Sequence, residues 1–242
     1  MSLRMPIEGT HNFRDVGGYP ALTGRTRSGQ LFRSDALTRI TPTGVADLAA
    51  LRIGVVVDLR SQLELSQDCS ANVLPGALLI HLPIHGGSQA SILEGDHISL
   101  ELLYRQMLLD SAWSFTAAVS VIAESGRTPV LVNCTAGKDR TGLAIALVLE
   151  AVGVERSAVV ADYTQSALNL DGEWMDQTLT RLVSNGVPIS PALFEALGGS
   201  PDRAMSQVLR WVDQEYGSVI GYLTAHGLLE ESVELLREKL VG

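Results

Sequence analysis

Hydrophobic and polar positions follow one rhythm in the first two thirds of the chain and another after it. In the first 35 residues no apolar run goes far before Gly9, Gly17-Gly18, Pro20, Gly24 or Gly29 interrupts it, which predicts turns and short strands. Thr41-Pro42 then opens a helix over 42–51. Thr41 is its cap, and Pro42 sits at the first helical position, where a missing N–H costs nothing. Residues 53–59 (IGVVVDL) are β-branched and apolar on both faces, the pattern of a strand covered on each side. Residues 77–82 (ALLIHL) and 129–133 (PVLVN) predict two more strands. Helical spacing marks 99–109, 111–124 and 141–152, the last apolar nearly all round and therefore buried. Strands alternating with helices predict an α/β fold, a mostly parallel central sheet flanked by helices.

After Gly153 only helical patterns follow, over 155–167, 172–184, 191–197, 202–215, 218–225 and 230–240. In the second of these, Met175, Leu179, Leu182 and Val183 make an apolar stripe that predicts packing on the core. No repeat or low-complexity linker divides the chain. One domain over 1–242 is expected, with a core over about 5–165 and a helical layer over about 166–242.

Composition narrows the classes. The 242 residues are 46% hydrophobic and 19% charged, which is enough for a packed core and argues against disorder. The formal net charge of -9 argues against nonspecific nucleic-acid binding, so no nucleic-acid partner is expected. It also repels anions at long range, so any phosphate site must be locally positive. Two cysteines, Cys69 and Cys134, do not build a disulfide framework, and a reducing cytosol is the expected setting. The start of the chain lacks a signal-peptide pattern, and no apolar run spans a bilayer; residues 143–152 are too few and include Glu150. Cytoplasmic action is expected, or export without a recognisable signal peptide. His11, His81, His85, His97 and His226 show no metal-ligand spacing, so no metal and no cofactor are expected.

The chemistry concentrates in Val130-Leu-Val-Asn-Cys-Thr-Ala-Gly-Lys-Asp-Arg-Thr-Gly142. A strand entering a buried helix through a polar loop turns several backbone N–H groups into one concavity, which is an anion site. The same field favours a thiolate at Cys134, the nucleophilic form of the side chain. Arg140, in Cys-x5-Arg spacing, presents a planar fork to two phosphoryl oxygens and to the charge that develops during transfer. Gly137 permits the sharp turn with no side chain against the ligand. Thr135, Ala136, Gly137, Lys138 and Thr141 are the expected phosphate-binding positions. The Thr141 hydroxyl is also placed to donate to the sulfur, and Lys138 adds charge suited to a second phosphate. A nucleotide-binding P-loop does not fit, because Asp139 follows Gly-Lys where Ser or Thr is required.

Cys134-Thr-Ala-Gly-Lys-Asp-Arg-Thr-Gly142 resembles the signature of the atypical bacterial tyrosine and phosphoinositide phosphatases, whose loop reads His-Cys-x-x-Gly-Lys-Asp-Arg-Thr-Gly. Asn12-Phe-Arg-Asp-Val-Gly-Gly-Tyr19, Leu31-Phe-Arg-Ser-Asp35 and Val57-Asp-Leu-Arg-Ser61 are similar to that family's outlying motifs. So are Asp162-Tyr163 and 215–223, which carry the likeness over nearly the whole chain. The resemblance implies a phosphatase of phosphotyrosine, phosphoserine or phosphothreonine, or phosphoinositides, working through a cysteinyl-phosphate intermediate. Its expected partners are phosphorylated proteins or phosphoinositides. The resemblance also implies Asp139 as general acid, and a helical pair after the core acting as a lid, here 171–199 with hinges at Asn185-Gly186 and Gly198-Gly199. Asp58, at the end of a buried strand, is the alternative acid. Asn133 stands where the family has His; Asn hydrogen-bonds but carries no charge. Arg14, Asp15, Arg33 and Arg60 are expected to form a salt-bridge lattice behind the site. Cys69 reads as a plain thiol rather than a redox partner of Cys134.

Overall fold

In the computed structural model, residues 4–67, 74–85, 93–94 and 97–242 are described. Their strands are β1 (Arg14–Asp15), β2 (Leu31–Ser34), β3 (Val55–Asp58), β4 (Leu78–His81), a separate antiparallel pair β5 (Leu93–Glu94) and β6 (His97–Ile98), and β7 (Val130–Asn133). The main sheet runs in the order β1-β2-β7-β3-β4, with β1 antiparallel and the rest parallel. Ser34, Asp58 and His81 align with or beside Asn133 in register, so four parallel strands stop on one line. That line is the functional edge of a parallel sheet.

Alternation along the strands divides the core. Leu31, Val55, Val57, Val130 and Val132 enter one hydrophobic cluster, while Phe32, Val56 and Leu131 enter the other with Phe13, Leu37 and Leu48. Each buried side chain of this size is worth about 1.5–3 kcal/mol, so strands this short hold by being covered on both faces. The helices are α1 (Pro42–Ala50), α2 (Gln62–Gln67), α3 (Leu100–Asp110), α4 (Ala112–Glu124), α5 (Asp139–Ala151), α6 (Arg156–Leu170), α7 (Glu173–Ser184), α8 (Pro191–Gly198), α9 (Asp202–Tyr216), α10 (Val219–Ala225) and α11 (Glu230–Leu240). Thr41 caps α1 through the Gly44 amide, as expected. Met205, Val208, Leu209, Tyr222, Leu223 and Leu236 join the larger cluster, so α9 to α11 share the core of the sheet.

Three details differ from expectation. Helix α2 arises in a polar stretch with no apolar period, where Ser61 and Glu64 cap one another. Helix α6 runs on to Leu170, because Leu170 is fully buried and holds its last turn. The stripe on α7 does not pack as one face: Met175 is buried, but Val183 is 62% exposed. Cys69 lies outside the described residues. Among the described residues, no helix is long and apolar enough to cross a membrane.

Candidate active site

The loop after β7 is fixed by its carbonyl groups. The Thr135 carbonyl accepts from the Ala36 amide at 3.1 Å, and that of Ala136 from Asn12 Nδ2 at 2.9 Å. The Gly137 carbonyl accepts from Arg33 Nη2 at 2.6 Å, and that of Lys138 from the Gly142 amide at 2.8 Å. In a trans peptide the next N–H points opposite to the carbonyl. Four carbonyls bound outward therefore aim the amides of 136–139 inward, the concavity expected of an anion site. Gly137 has φ +64°, and a Cβ there would lie 2.4 Å from the Ser34 backbone, so only glycine fits. Cys134 begins the loop and is 2% exposed.

Arg140, in the first turn of α5, meets a partner that the sequence did not reveal. Its Nη1 and Nη2 donate to the two carboxylate oxygens of Glu64 at 2.7 and 2.8 Å, and Nη2 reaches Thr135 Oγ1 at 3.3 Å. The Thr135 hydroxyl also donates to Glu64. Burial works against the guanidinium charge, but the hydrogen bonds and charge of Glu64 outweigh it and hold Arg140 protonated. Burial likewise would raise the Glu64 carboxyl; Arg140 reverses that and holds it well below the usual carboxylate range. Glu64 grips the tip of the fork, leaving the Nε edge of Arg140 for an incoming oxyanion.

The other expected residues divide. Asp139 opens α5 with its Oδ1 2.5 Å from the Tyr104 hydroxyl. Lys138, by contrast, is 1% exposed, and its ammonium donates to the carbonyls of Ala196, Leu197 and Gly199 at 2.5, 3.1 and 2.9 Å. It thus holds the C-terminal end of α8, where a cation is favoured by the helix dipole, rather than facing the concavity. Asp58 is engaged with Arg60, which donates Nε to Oδ1 and Oδ2 at 3.1 and 3.0 Å and Nη2 to Oδ2 at 2.7 Å. Both carboxylate oxygens of Asp58 are thus taken up by Arg60. The Thr141 hydroxyl is buried without a hydrogen-bond partner, so the expected bond to sulfur is not formed. The Asn133 carboxamide oxygen is also buried and unpartnered. Unsatisfied buried groups of this kind concentrate at functional positions.

Behind the loop, Arg14 and Arg33 converge on Asp162. Arg14 Nη2 also donates to the Asp162 carbonyl at 2.9 Å, and the Tyr19 hydroxyl to Asp162 Oδ1 at 3.0 Å. Burial alone would push the Asp162 carboxyl up; the two guanidinium groups hold it at about 2 instead. Asp15 accepts from the amides of Gly17 and Gly29 at 2.8 Å each. Asp35 is buried beside the loop, where burial raises its carboxyl and the amides of Asn12 and His11 favour its ionised form. A cavity of about 420 Å³ adjoins the site, with Thr135, Glu64 and Arg60 on the sheet side and Trp174, Gln177 and Arg181 on α7. Among the described residues, no group of three His, Cys, Asp or Glu could hold a metal ion.

Glu64 and Tyr104 were not legible as site residues, and Tyr163 was legible only as part of the Asp162-Tyr163 motif. Tyr104 lies on a helix whose pattern reads only as core, and nothing near Glu64 marks it as the partner of a distant arginine. Residues 5–242 match the model of a family described as "Tyrosine phosphatase family". The chain is 31% identical to the "Triple specificity protein phosphatase PtpB" of Mycobacterium tuberculosis, over 98% of each. It is 28% identical to a "Tyrosine-protein phosphatase" of Nostoc commune, over 86% of this chain and 73% of that one. Among solved structures, the catalytic core of Siw14 matches at TM-score 0.41 and 16% identity, over 76% of this chain and 96% of that one.

Proposed function

The chain belongs to the tyrosine phosphatase family, and we propose that it hydrolyses phosphate monoesters through a cysteinyl-phosphate intermediate, with Cys134 as nucleophile, Arg140 as clamp and Asp139 as general acid. In the first step the Cys134 sulfur attacks phosphorus, the bond to the leaving oxygen breaks, and Asp139 protonates that oxygen. In the second, water attacks phosphorus, the carboxylate of Asp139 takes its proton, and the sulfur leaves. The amides of 136–139 and the Arg140 guanidinium stabilise the charge carried by the transferring oxygens. The pairing of the four loop carbonyls carries this reading, because three are held by neighbouring segments and the fourth opens the α5 ladder, which turns the amides of 136–139 toward one concavity beside the thiol. The ion pair of Asp58 with Arg60 favours Asp139 over Asp58 as the acid.

Phosphotyrosine is the substrate class we propose first, since the adjoining cavity of about 420 Å³ has room for a side chain beside Thr135. The mycobacterial relative is named a triple specificity protein phosphatase, which supports a range wider than one residue type; we extend the proposal to phosphoserine or phosphothreonine and to phosphoinositides. A cytosolic setting keeps a thiolate reduced and suits the chemistry; export without a recognisable signal peptide is the alternative. The architecture supports one domain in which α7 and α8 form the appended piece, a lid beside the site. Cys134→Ser should abolish turnover of an aryl phosphate and keep phosphate binding. Arg140→Ala should lose both, at a cost of about 3–4 kcal/mol or more. Substantial turnover by Cys134→Ser would remove the covalent mechanism.

A further inference from the structure

We infer that Tyr104 is a positioning residue for the proton-transfer steps, an inference that rests on Asp139 being the acid. The Tyr104 hydroxyl lies 2.5 Å from Asp139 Oδ1 and 2.6 Å from the Tyr163 hydroxyl. A phenol has one proton to give. Tyr104 gives it to Oδ1, so Tyr163 must be the donor to Tyr104, and both hydroxyls point their protons toward the carboxylate. The rings are fully buried and stand edge to face, centroids 6.0 Å apart at 89°. They come from α3 and α6, and packing on those helices fixes where Oδ1 sits. Burial first, and the Asp139 charge second, push both phenols up, so each remains a protonated donor.

With Oδ1 facing the Tyr104 hydroxyl at 2.5 Å and the Lys138 ammonium at 3.5 Å, Oδ2 carries the proton that moves. In the first step the sulfur–phosphorus bond forms, the ester bond breaks, and the Oδ2 proton goes to the leaving oxygen. Tyr104 keeps its own proton and stabilises the carboxylate left behind. In the second step Oδ2 takes the proton of the attacking water. A hydroxyl with this role matters only where a proton is transferred and is indifferent to phosphate affinity. A tyrosine that merely fills the core behaves otherwise, because its hydroxyl would affect all substrates alike.

The test uses Tyr104→Phe, which keeps the ring, together with Asp139→Asn and the double variant. Each is assayed on aryl phosphates of graded leaving-group basicity, with inorganic phosphate as competitive inhibitor. Tyr104→Phe should lower kcat/KM, which reads the first transfer alone, about 10-fold for poor leaving groups, stay within about 2-fold for good ones, and leave phosphate inhibition unchanged. In the Asp139→Asn background it should add nothing, since the group it acts through is gone. Tyr163→Phe, which removes only the outer donor, should give the same pattern at smaller size. A uniform loss of kcat/KM across leaving groups, or additive losses in the double variant, would overturn the inference. If Asp139→Asn itself shows no leaving-group dependence, the acid assignment falls and this inference with it. A steep Asp139→Asn beside a flat Tyr104→Phe sinks the inference alone.

Discussion

The phosphate loop and α7 border one cavity, and the loop and the helical pair α7–α8 are held in opposite ways. In the loop, every carbonyl from Thr135 to Lys138 has a partner, and three of the donors come from the buried segments 12, 33 and 36. In the pair, only Met175 and Thr178 of α7 are buried and no residue of α8 is. Val183 and Phe194 are 62% and 50% exposed, and Lys138 supplies three hydrogen bonds at one end of α8. The reacting groups are mounted on the part with the most constraints, and the wall of the cavity is built from the part with the fewest. Regions with few buried contacts are the ones that open locally.

The comparison breaks most severely at Asp162. Asp162→Ala leaves Arg14 and Arg33 as uncompensated buried charges and should cost about 3–5 kcal/mol in urea unfolding, with loss of turnover. Acid tests the same lattice without a substitution. The Asp162 carboxyl titrates at about 2 in the fold, below its unfolded value. Its contribution is therefore fully present above that unfolded value and is lost as pH falls from about 4 toward about 2. An Asp162→Asn variant should show a flatter loss of stability over that window.

Glu64→Gln comes next. It loosens the grip on Arg140 without deleting a donor to phosphate, so kcat/KM should fall about 10-fold, and stability at neutral pH should fall with it because the depressed Glu64 carboxyl is linked to folding. An unchanged kcat/KM would mean that the fork needs no orientation. Lys138→Met sharpens the comparison from the other side. It leaves three carbonyls at the end of α8 without their donor, a local cost of about 1 kcal/mol, and amide exchange over 173–198 should quicken while that of α5 does not. Equal quickening in both would show that loop and pair form one unit. Val183→Ser, on the exposed face of α7, should change stability by no more than about 0.5 kcal/mol.

What the sequence disclosed follows the same division. Residues 55–58 were legible as a strand because their period is local, three valines apolar on both faces. The cysteine loop was legible because its chemistry lies in one continuous stretch. β2 was harder: LFRS is a central strand whose Arg33 is buried by Asp162, a partner 129 positions away. Charge within four residues reads as surface until that partner is known. Lys138 was expected to face phosphate on its position in the loop alone, and the C-terminal carbonyls of α8 that claim it have no signature in sequence. Glu64 and Tyr104 were missed for the same reason, since each acts on a residue from another part of the fold. The stripe on α7 shows the converse, a helical period that was correct for the helix and wrong for its burial.

The lattice behind the loop also sets when the enzyme becomes armed during synthesis. Asn12 meets Ala136 across 124 positions, Arg33 meets Gly137 across 104, and Arg14 meets Asp162 across 148. These are long closures, each paid in chain entropy before any contact returns it. Cys134 is translated before Asp162 and Ser166, and until those residues follow, Arg14 has no Asp162 to pair with behind the loop. The cysteine thus travels through the ribosome's exit region as an ordinary thiol, and the anion site closes around it only when later codons have been read. Ribosome-bound chains stalled short of residue 162 should be inert toward aryl phosphates, and chains carried past the end of α11 should be active.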